Sequence, residues 1–181
     1  MEITELDQTW KGRKNPVHYV TSHHYAVRLT EDPQGWELSL RREALEAPIE
    51  KNFEDTLLED YLEEPQLFGA FEGGELLGIL ELAAENWNNR LRVSNLWVRE
   101  GWRRRGIGRQ LMRKAEELAA MQGRRALVLE TQSCNDPALC FYRACGFALI
   151  GCDLMAYSNA DAGRQEVRLE MGKALKGAQD E

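Results

Sequence analysis

Three arginines and two glycines, Arg103-Arg104-Arg105-Gly106-Ile107-Gly108, follow the apolar stretch Leu96-Trp97-Val98 and open a run with helical spacing. These residue types in this order suit the binding of phosphate. The first N–H groups of a helix lack partners within the helix, and the aligned peptide dipoles place about half a positive charge at that end. A pyrophosphate can dock there directly. Arginines, Arg109 in the first helical turn included, add charge-assisted hydrogen bonds, and the glycines allow close approach of the backbone.

Three glycine-rich cradles compete for this stretch. A Walker loop is excluded, because no Gly-Lys-Ser/Thr follows the glycines. A dinucleotide-binding turn would carry a third glycine at Leu111, although Glu130, at the end of the next expected strand, stands near the distance of a ribose-binding acid. The third pattern is Arg/Gln-x-x-Gly-x-Gly/Ala, which Arg103, Gly106 and Gly108 match position by position. It resembles the acyl-CoA pyrophosphate loop of the GNAT acetyltransferase superfamily.

The surrounding elements must position such a loop. From Gly106 to Gln122 the apolar residues Ile107, Leu111, Ala115, Leu118 and Ala119 recur at helical spacing, with Arg109, Arg113, Glu116 and Glu117 on the other face. Gly123 ends this helix, and Ala126 to Leu129 is an apolar run suited to a buried strand. The strand Leu91 to Val98, the cradle, the helix and this strand form one βαβ unit. Ser133, Asn135, Asp136 and Pro137 supply capping chemistry for a second helix, Pro137 to Cys145. Asn135, Ala138, Phe141, Tyr142, Gly146 and Phe147 resemble the Asn-x-x-Ala-x-x-Phe-Tyr-x-x-x-Gly-Phe signature that follows the CoA loop in GNAT enzymes.

The resemblance carries implications for each site. It implies a mixed α/β fold: a mostly antiparallel twisted sheet of about 6–7 strands with a splayed parallel pair at the CoA site, flanked by helices. The backbone of Leu96, Trp97 and Val98 would hold the pantetheine arm, and Arg103, Arg104, Arg105, Gly106, Ile107, Gly108 and Arg109 the pyrophosphate. Asn135, Ala138 and Tyr142 would complete the acetyl-CoA site. Tyr142 matches the tyrosine beside the CoA sulfur and would be the general acid; a phenol with an ordinary pKa near 10 can donate a proton at neutral pH. Many relatives carry an acid on the strand before the cradle, whereas this chain has Ser94-Asn95. The carboxylate must then come from elsewhere, or a chain of waters must serve. Glu130 is the first candidate, its pairing with Tyr142 resembling that of ribosomal-protein alanine acetyltransferases, and Glu81 the second.

Composition sets the frame. With 181 residues and 43% hydrophobic content the chain is expected to form a single domain, its core motifs lying in 67–157. No apolar run approaches the ~20 residues of a membrane span, and the start Met1-Glu2-Ile3-Thr4-Glu5 lacks the parts of an export signal, so a cytoplasmic location is expected. Cys134, Cys140, Cys145 and Cys152 lack Cys-x-x-Cys spacing, which points to reduced thiols rather than a metal. A net charge of −7 argues against nucleic acid and is compatible with a cationic substrate. The acids Glu50, Glu54, Asp55, Glu59, Asp60, Glu63 and Glu64 surround an expected helix whose apolar members are Phe53, Leu57, Leu58, Tyr61 and Leu62.

Leu67 to Phe71 and Leu76 to Leu82 read as strands joined by the hairpin signal Gly73-Gly74, with Asn86 to Asn89 as a second turn. Tyr25 to Leu29 and Trp36 to Leu40 alternate like strands around Asp32-Pro33-Gln34-Gly35. His18, His23 and His24 read as surface or loop residues. Ile150 to Tyr157 and Glu166 to Lys173 form an expected closing hairpin, followed by a frayed tail from Ala174.

Within the superfamily, Asn86-Trp87-Asn88, Leu129-Glu130-Thr131-Gln132, Phe141-Tyr142, Gly146-Phe147 and Ile150-Gly151 with Asp153 and Tyr157 resemble the streptothricin acetyltransferases of Gram-positive bacteria. That likeness implies a primary amine on a small cationic acceptor. Either a monomer or a homodimer is expected. Two alternatives stay open: acetylation of a peptide or protein amine, and a non-catalytic module binding CoA or a dinucleotide.

Overall fold

The computed structural model describes residues 1–175. In chain order it contains β1 (Glu2–Leu6), β2 (Lys14–Asp32), β3 (Gly35–Thr56), β4 (Glu63–Glu72), β5 (Glu75–Glu85), β6 (Arg90–Val98), α1 (Ile107–Met121), β7 (Ala126–Gln132), α2 (Asp136–Ala144), β8 (Ala148–Asp153) and β9 (Arg168–Ala174). Seven strands form one sheet in the order β1-β4-β5-β6-β7-β9-β8, while β2 and β3 pair in a two-stranded sheet. β1–β4, β4–β5 and β5–β6 are antiparallel, and β6–β7 is the parallel pair that requires the α1 crossover. The expected mixed α/β fold is therefore present.

By contact density the described chain divides into two compact units. The first comprises Met1–Val17, Phe53–Leu129 and the segment from Gly172; the second comprises His18–Asn52 and Glu130–Met171.

In the first unit, α1 lays Ile107, Leu111, Met112, Ala115 and Ala119 against the sheet. Gly78 on β5 makes this approach feasible: a Cβ there would meet the Trp97 carbonyl and Leu111 Cδ1 at 3.0 Å each. Leu57, Leu58, Leu67 and Ile79 form a buried cluster lined by Leu6, Trp10, Leu76 and Trp97. The meander of β4, β5 and β6 follows the expected strands closely, since Gly73 and Gly74, at φ +58° and +84°, turn the first hairpin.

Three expectations are corrected. The helix around Phe53 to Leu62 does not form: β3 runs to Thr56, and a turn leads into β4. Long-range hydrogen bonds claim its backbone, with Leu57 N–H donating to the Arg13 carbonyl at 2.9 Å and Gly12 N–H to the Leu57 carbonyl at 3.0 Å. The apolar spacing is misleading, for Leu57 and Leu58 are buried while Tyr61 is 77% exposed. The short strands at Tyr25 and Trp36 are parts of the much longer β2 and β3. The histidines are not in a loop: all three lie on β2, and His24 is buried. β1 carries no strong sequence signal and owes its place to pairing with β4. The closing hairpin narrows to β8 and β9, and all of the expected tail beyond Leu175 lies outside the described residues.

Candidate active site

The first unit holds the cradle. After β6 the chain turns through 99–106, where Arg99 N–H donates to the Leu77 carbonyl at 2.9 Å and Trp102 N–H to the Arg99 carbonyl at 3.0 Å. Gly101, Arg104 and Gly106 have φ of +70°, +62° and +88°. Left-handed residues interleaved with right-handed ones can turn successive amides toward one side, a geometry that suits an anion. Gly106 caps α1 without any side-chain cap, and the first turn contains no acid. The leading amides of a 15-residue helix are thus left for a ligand. Arg103, Arg104 and Arg105 are exposed around them. Arg103 Nε donates to the Val98 carbonyl at 3.3 Å, and the Arg105 guanidinium stacks 4.6 Å from the centre of the Trp102 ring. This donor set fits a pyrophosphate.

The strand that leads into the cradle is paired on its β7 side only from Arg90↔Ala126 to Val93↔Leu129. Its opposite edge continues to pair with β5 through Asn95, Leu96, Trp97 and Val98. Where the parallel ladder stops, β6 also bulges. Glu81 faces Asn95 and Leu82 faces Val93, so Ser94 is the extra residue. The bulge turns Ser94 toward Glu81, whose Oε2 accepts from Ser94 Oγ at 2.7 Å while Oε1 accepts from Leu58 N–H at 2.6 Å. Glu81 is only 2% exposed, and Ser94 is half-buried. Burial pushes the Glu81 carboxyl above its ordinary range, the two hydrogen bonds oppose the shift, and the nearby Glu59 and Asp55 add to it. Asn95 turns to a second set of partners: its Oδ1 accepts from Asn15 Nδ2 at 3.0 Å, and its Nδ2 donates to Asp55 Oδ2 at 3.3 Å.

These partners were invisible to motif reading. Ser94-Asn95 itself carries no carboxylate, yet each of the two residues hydrogen-bonds one from another segment, Glu81 or Asp55. Asp55 belongs to the acidic run around the expected helix at Phe53 to Leu62. Asn15 belonged to no pattern at all.

The remaining candidates lie in the second unit. Glu130 is exposed and ion-paired with Arg168, which also binds Glu170 at 2.9 Å. Asn135 caps α2, its side chain accepting from Ala138 N–H at 3.2 Å. The N-terminus of that helix is tied further by Asp136, whose carboxylate accepts two bonds from Arg42 at 2.7 and 3.0 Å. Tyr142 is half-buried between Phe141 and Phe147, with ring centroids 5.5 and 6.2 Å away. Burial pushes its phenol up to about 12. Cys134, Cys140, Cys145 and Cys152 are all free thiols.

A mixed sheet whose parallel pair, β6 and β7, is bridged by an arginine-glycine cradle and a helix, with the ladder stopping at Val93 ahead of the cradle, is the arrangement of the acyltransferase class of α/β proteins. The family model "Acetyltransferase (GNAT) family" matches residues 29–147, and the chain belongs to that family. It is 30% identical over 164 residues to a streptothricin acetyltransferase of Escherichia coli, covering 91% of this chain and 89% of that one. A streptothricin acetyltransferase of Streptomyces lavendulae is 37% identical over 99 residues, a match that spans 54% of this chain and only 52% of the relative's length. Among solved structures, nourseothricin acetyltransferase superposes with a TM-score of 0.74 at 27% identity, over 96% of this chain and 97% of that one. A Bacillus anthracis protein solved with acetyl coenzyme A shares the fold at a TM-score of 0.70 and 20% identity, over 96% and 99% of the two chains. No helix among the described residues is long and apolar enough to cross a membrane.

Proposed function

We propose that this acetyltransferase uses acetyl-CoA to acetylate a primary amine on a small cationic acceptor of the streptothricin type, by direct transfer in a ternary complex. The observation that carries the reading is the uncapped N-terminus of α1, framed by exposed arginines and placed directly after the stretch of β6 that outruns its parallel partner. The cradle would take the pyrophosphate, and the backbone of Leu96–Val98 the pantetheine arm. The acceptor class rests on the likeness to streptothricin and nourseothricin acetyltransferases over most of the chain, and on a net charge of −7 suited to a polycation.

Transfer from a thioester to an amine requires removal of a proton from the amine and return of one to the departing sulfur. Tyr142 is the proposed acid, since a phenol raised by burial to about 12 keeps its proton across the neutral range. For the base, Glu81 is preferred to Glu130. Glu130 is exposed and engaged by a guanidinium, whereas Glu81 is buried beside the end of the parallel ladder, with its basicity raised by desolvation.

The deciding experiment measures release of CoA thiol from acetyl-CoA in the presence of streptothricin, aminoglycosides, polyamines and N-terminal peptides. Turnover with streptothricin at least tenfold above the peptides is expected. Turnover confined to peptides would replace the acceptor class. Thermal stabilisation by NAD rather than acetyl-CoA would replace the donor.

A further inference from the structure

Glu81 is too deeply buried to meet a substrate itself. At 2% exposure, with Oε1 committed to the Leu58 amide, its Oε2 reaches outward through one side chain, the Ser94 hydroxyl at 2.7 Å. We propose that Ser94 is a catalytic relay: its hydroxyl receives the proton of the acceptor amine and passes its own to Glu81. The inference rests on the acetyl-transfer reading above and adds to it the residue that touches the amine.

Three features support the relay. A hydroxyl has one donor hydrogen and two acceptor lone pairs; with the hydrogen spent on Glu81, the lone pairs are oriented to accept from an incoming N–H. Ser94 is the bulged residue of β6 and is only half-buried, so its hydroxyl is not sealed in the core as Val93 and Asn95 on either side are. And it is the first residue of β6 beyond the parallel ladder with β7, where the strand edge becomes available to a thioester. The charged groups near Glu81 are Asp55, on the end of β3, and Glu59, on the turn before β4; both are acids and favour a proton arriving on Glu81. The uncharged Asn95 faces Glu81 across the strand pair.

The step balances. The amine lone pair forms the C–N bond to the acetyl carbon while the C–S bond breaks, its electron pair leaving on sulfur. The amine proton moves to Ser94 Oγ, the serine proton moves to Glu81 Oε2, and the sulfur takes a proton from Tyr142. The amide and free CoA thiol depart; Glu81 then returns its proton along the same path, and Tyr142 regains one from water.

The test compares the wild type with Ser94→Ala, Ser94→Thr and Glu81→Gln by steady-state kinetics from pH 5.5 to 10, with acetyl-CoA and the best amine of the panel. Thermal stabilisation by acetyl-CoA serves as an independent readout. Loss of proton transfer predicts a fall in kcat of about 10²-fold for Ser94→Ala, within the usual range for a general base. The KM for acetyl-CoA and the stabilisation by it should stay within twofold, and the acid limb of kcat/KM should move toward the pKa of the free amine. Ser94→Thr, which keeps a hydroxyl, should restore activity to within about threefold of wild type. Wild-type kcat and pH profile in Ser94→Ala, or equal loss in the Ala and Thr variants, would overturn the relay with acetyl-CoA binding intact. A wild type that acetylates no amine would instead refute the acetyl-transfer reading and the relay with it.

Discussion

Asn15 and Asn95, eighty positions apart in the chain, join their side-chain amides at 3.0 Å in a buried position. The contact ties the start of β2 to β6 at the bulge, and through Asn95 it reaches Asp55 at 3.3 Å. Asn15 and Asn95 are 2% and 6% exposed, so each needs these partners in place of water.

Replacing Asn95 by Leu should therefore destabilise the protein even though the volume is similar. The change leaves Asn15 with a buried, unsatisfied donor, at a cost of about 1–3 kcal/mol. For a chain of this size that corresponds to a fall in Tm of roughly 2–10 °C. Differential scanning calorimetry provides the check, and the paired variant Asn15→Leu/Asn95→Leu should recover part of the loss, because neither amide is then stranded.

Gly106 offers a separation of strain from crowding. A Cβ at this position meets nothing within 4 Å, yet φ is +88°. Gly106→Ala should cost about 1–2 kcal/mol of backbone strain. Relaxation toward an ordinary φ would re-aim the first amides of α1, so the KM for acetyl-CoA should rise about tenfold, equivalent to ~1.4 kcal/mol, while kcat changes little. Initial-rate measurements at saturating acceptor decide this.

Tyr142→Phe removes the proposed proton donor while keeping the ring between Phe141 and Phe147. A loss of about 10²-fold in kcat is expected. Because burial raises the phenol to about 12, the wild type should show no falling limb from its ionisation below about pH 11. A thermal-denaturation profile close to wild type would show that packing was preserved.

Glu81 should make stability fall as pH rises. Its carboxyl is raised above the ordinary 4.5 by burial, so the native state holds the proton more tightly than the unfolded chain. That advantage is fully present below the unfolded value and is lost as pH climbs through the folded one. Glu81→Gln can still accept from the Leu58 amide but cannot ionise. The Tm difference, wild type minus Glu81→Gln, should therefore decline from pH 4 to pH 8; a difference that grows with pH would contradict the assignment of burial as the dominant cause.

Local patterns carried much of the fold. Gly73-Gly74 marked the β4–β5 hairpin, the spacing of Ile107, Leu111, Ala115 and Ala119 marked α1, and Asn135 with Pro137 marked the start of α2; all three elements formed where expected. Each depends on turn geometry, capping or side-chain period within a few residues. The failures have the opposite character. Phe53 to Leu62 has apolar spacing compatible with a helix, but the carbonyl of Arg13 and the carboxylate of Glu81 take up its amides. β2 and β3 owe their reach to pairing with each other in a two-stranded sheet, which weak alternation does not announce.

For the candidate site the division is sharper. Sequence alone marked the candidate cradle, because Arg103, Gly106 and Gly108 derive their meaning from fixed spacing at the start of a helix, and the resemblance carried by Asn135, Tyr142 and Phe147 pointed to the acetyltransferase class to which the chain belongs. It also registered that Ser94-Asn95 lacks a carboxylate. Only the tertiary structure showed which carboxylates stand beside that pair. Glu81 meets Ser94 across 13 positions and Leu58 across 23, and Asp55 meets Asn95 across 40. Such contacts are set by strand register, and here a one-residue bulge at Ser94 fixes them: a shift of one residue sends a strand's side chains to the opposite face, and no local pattern in the chain encodes that choice.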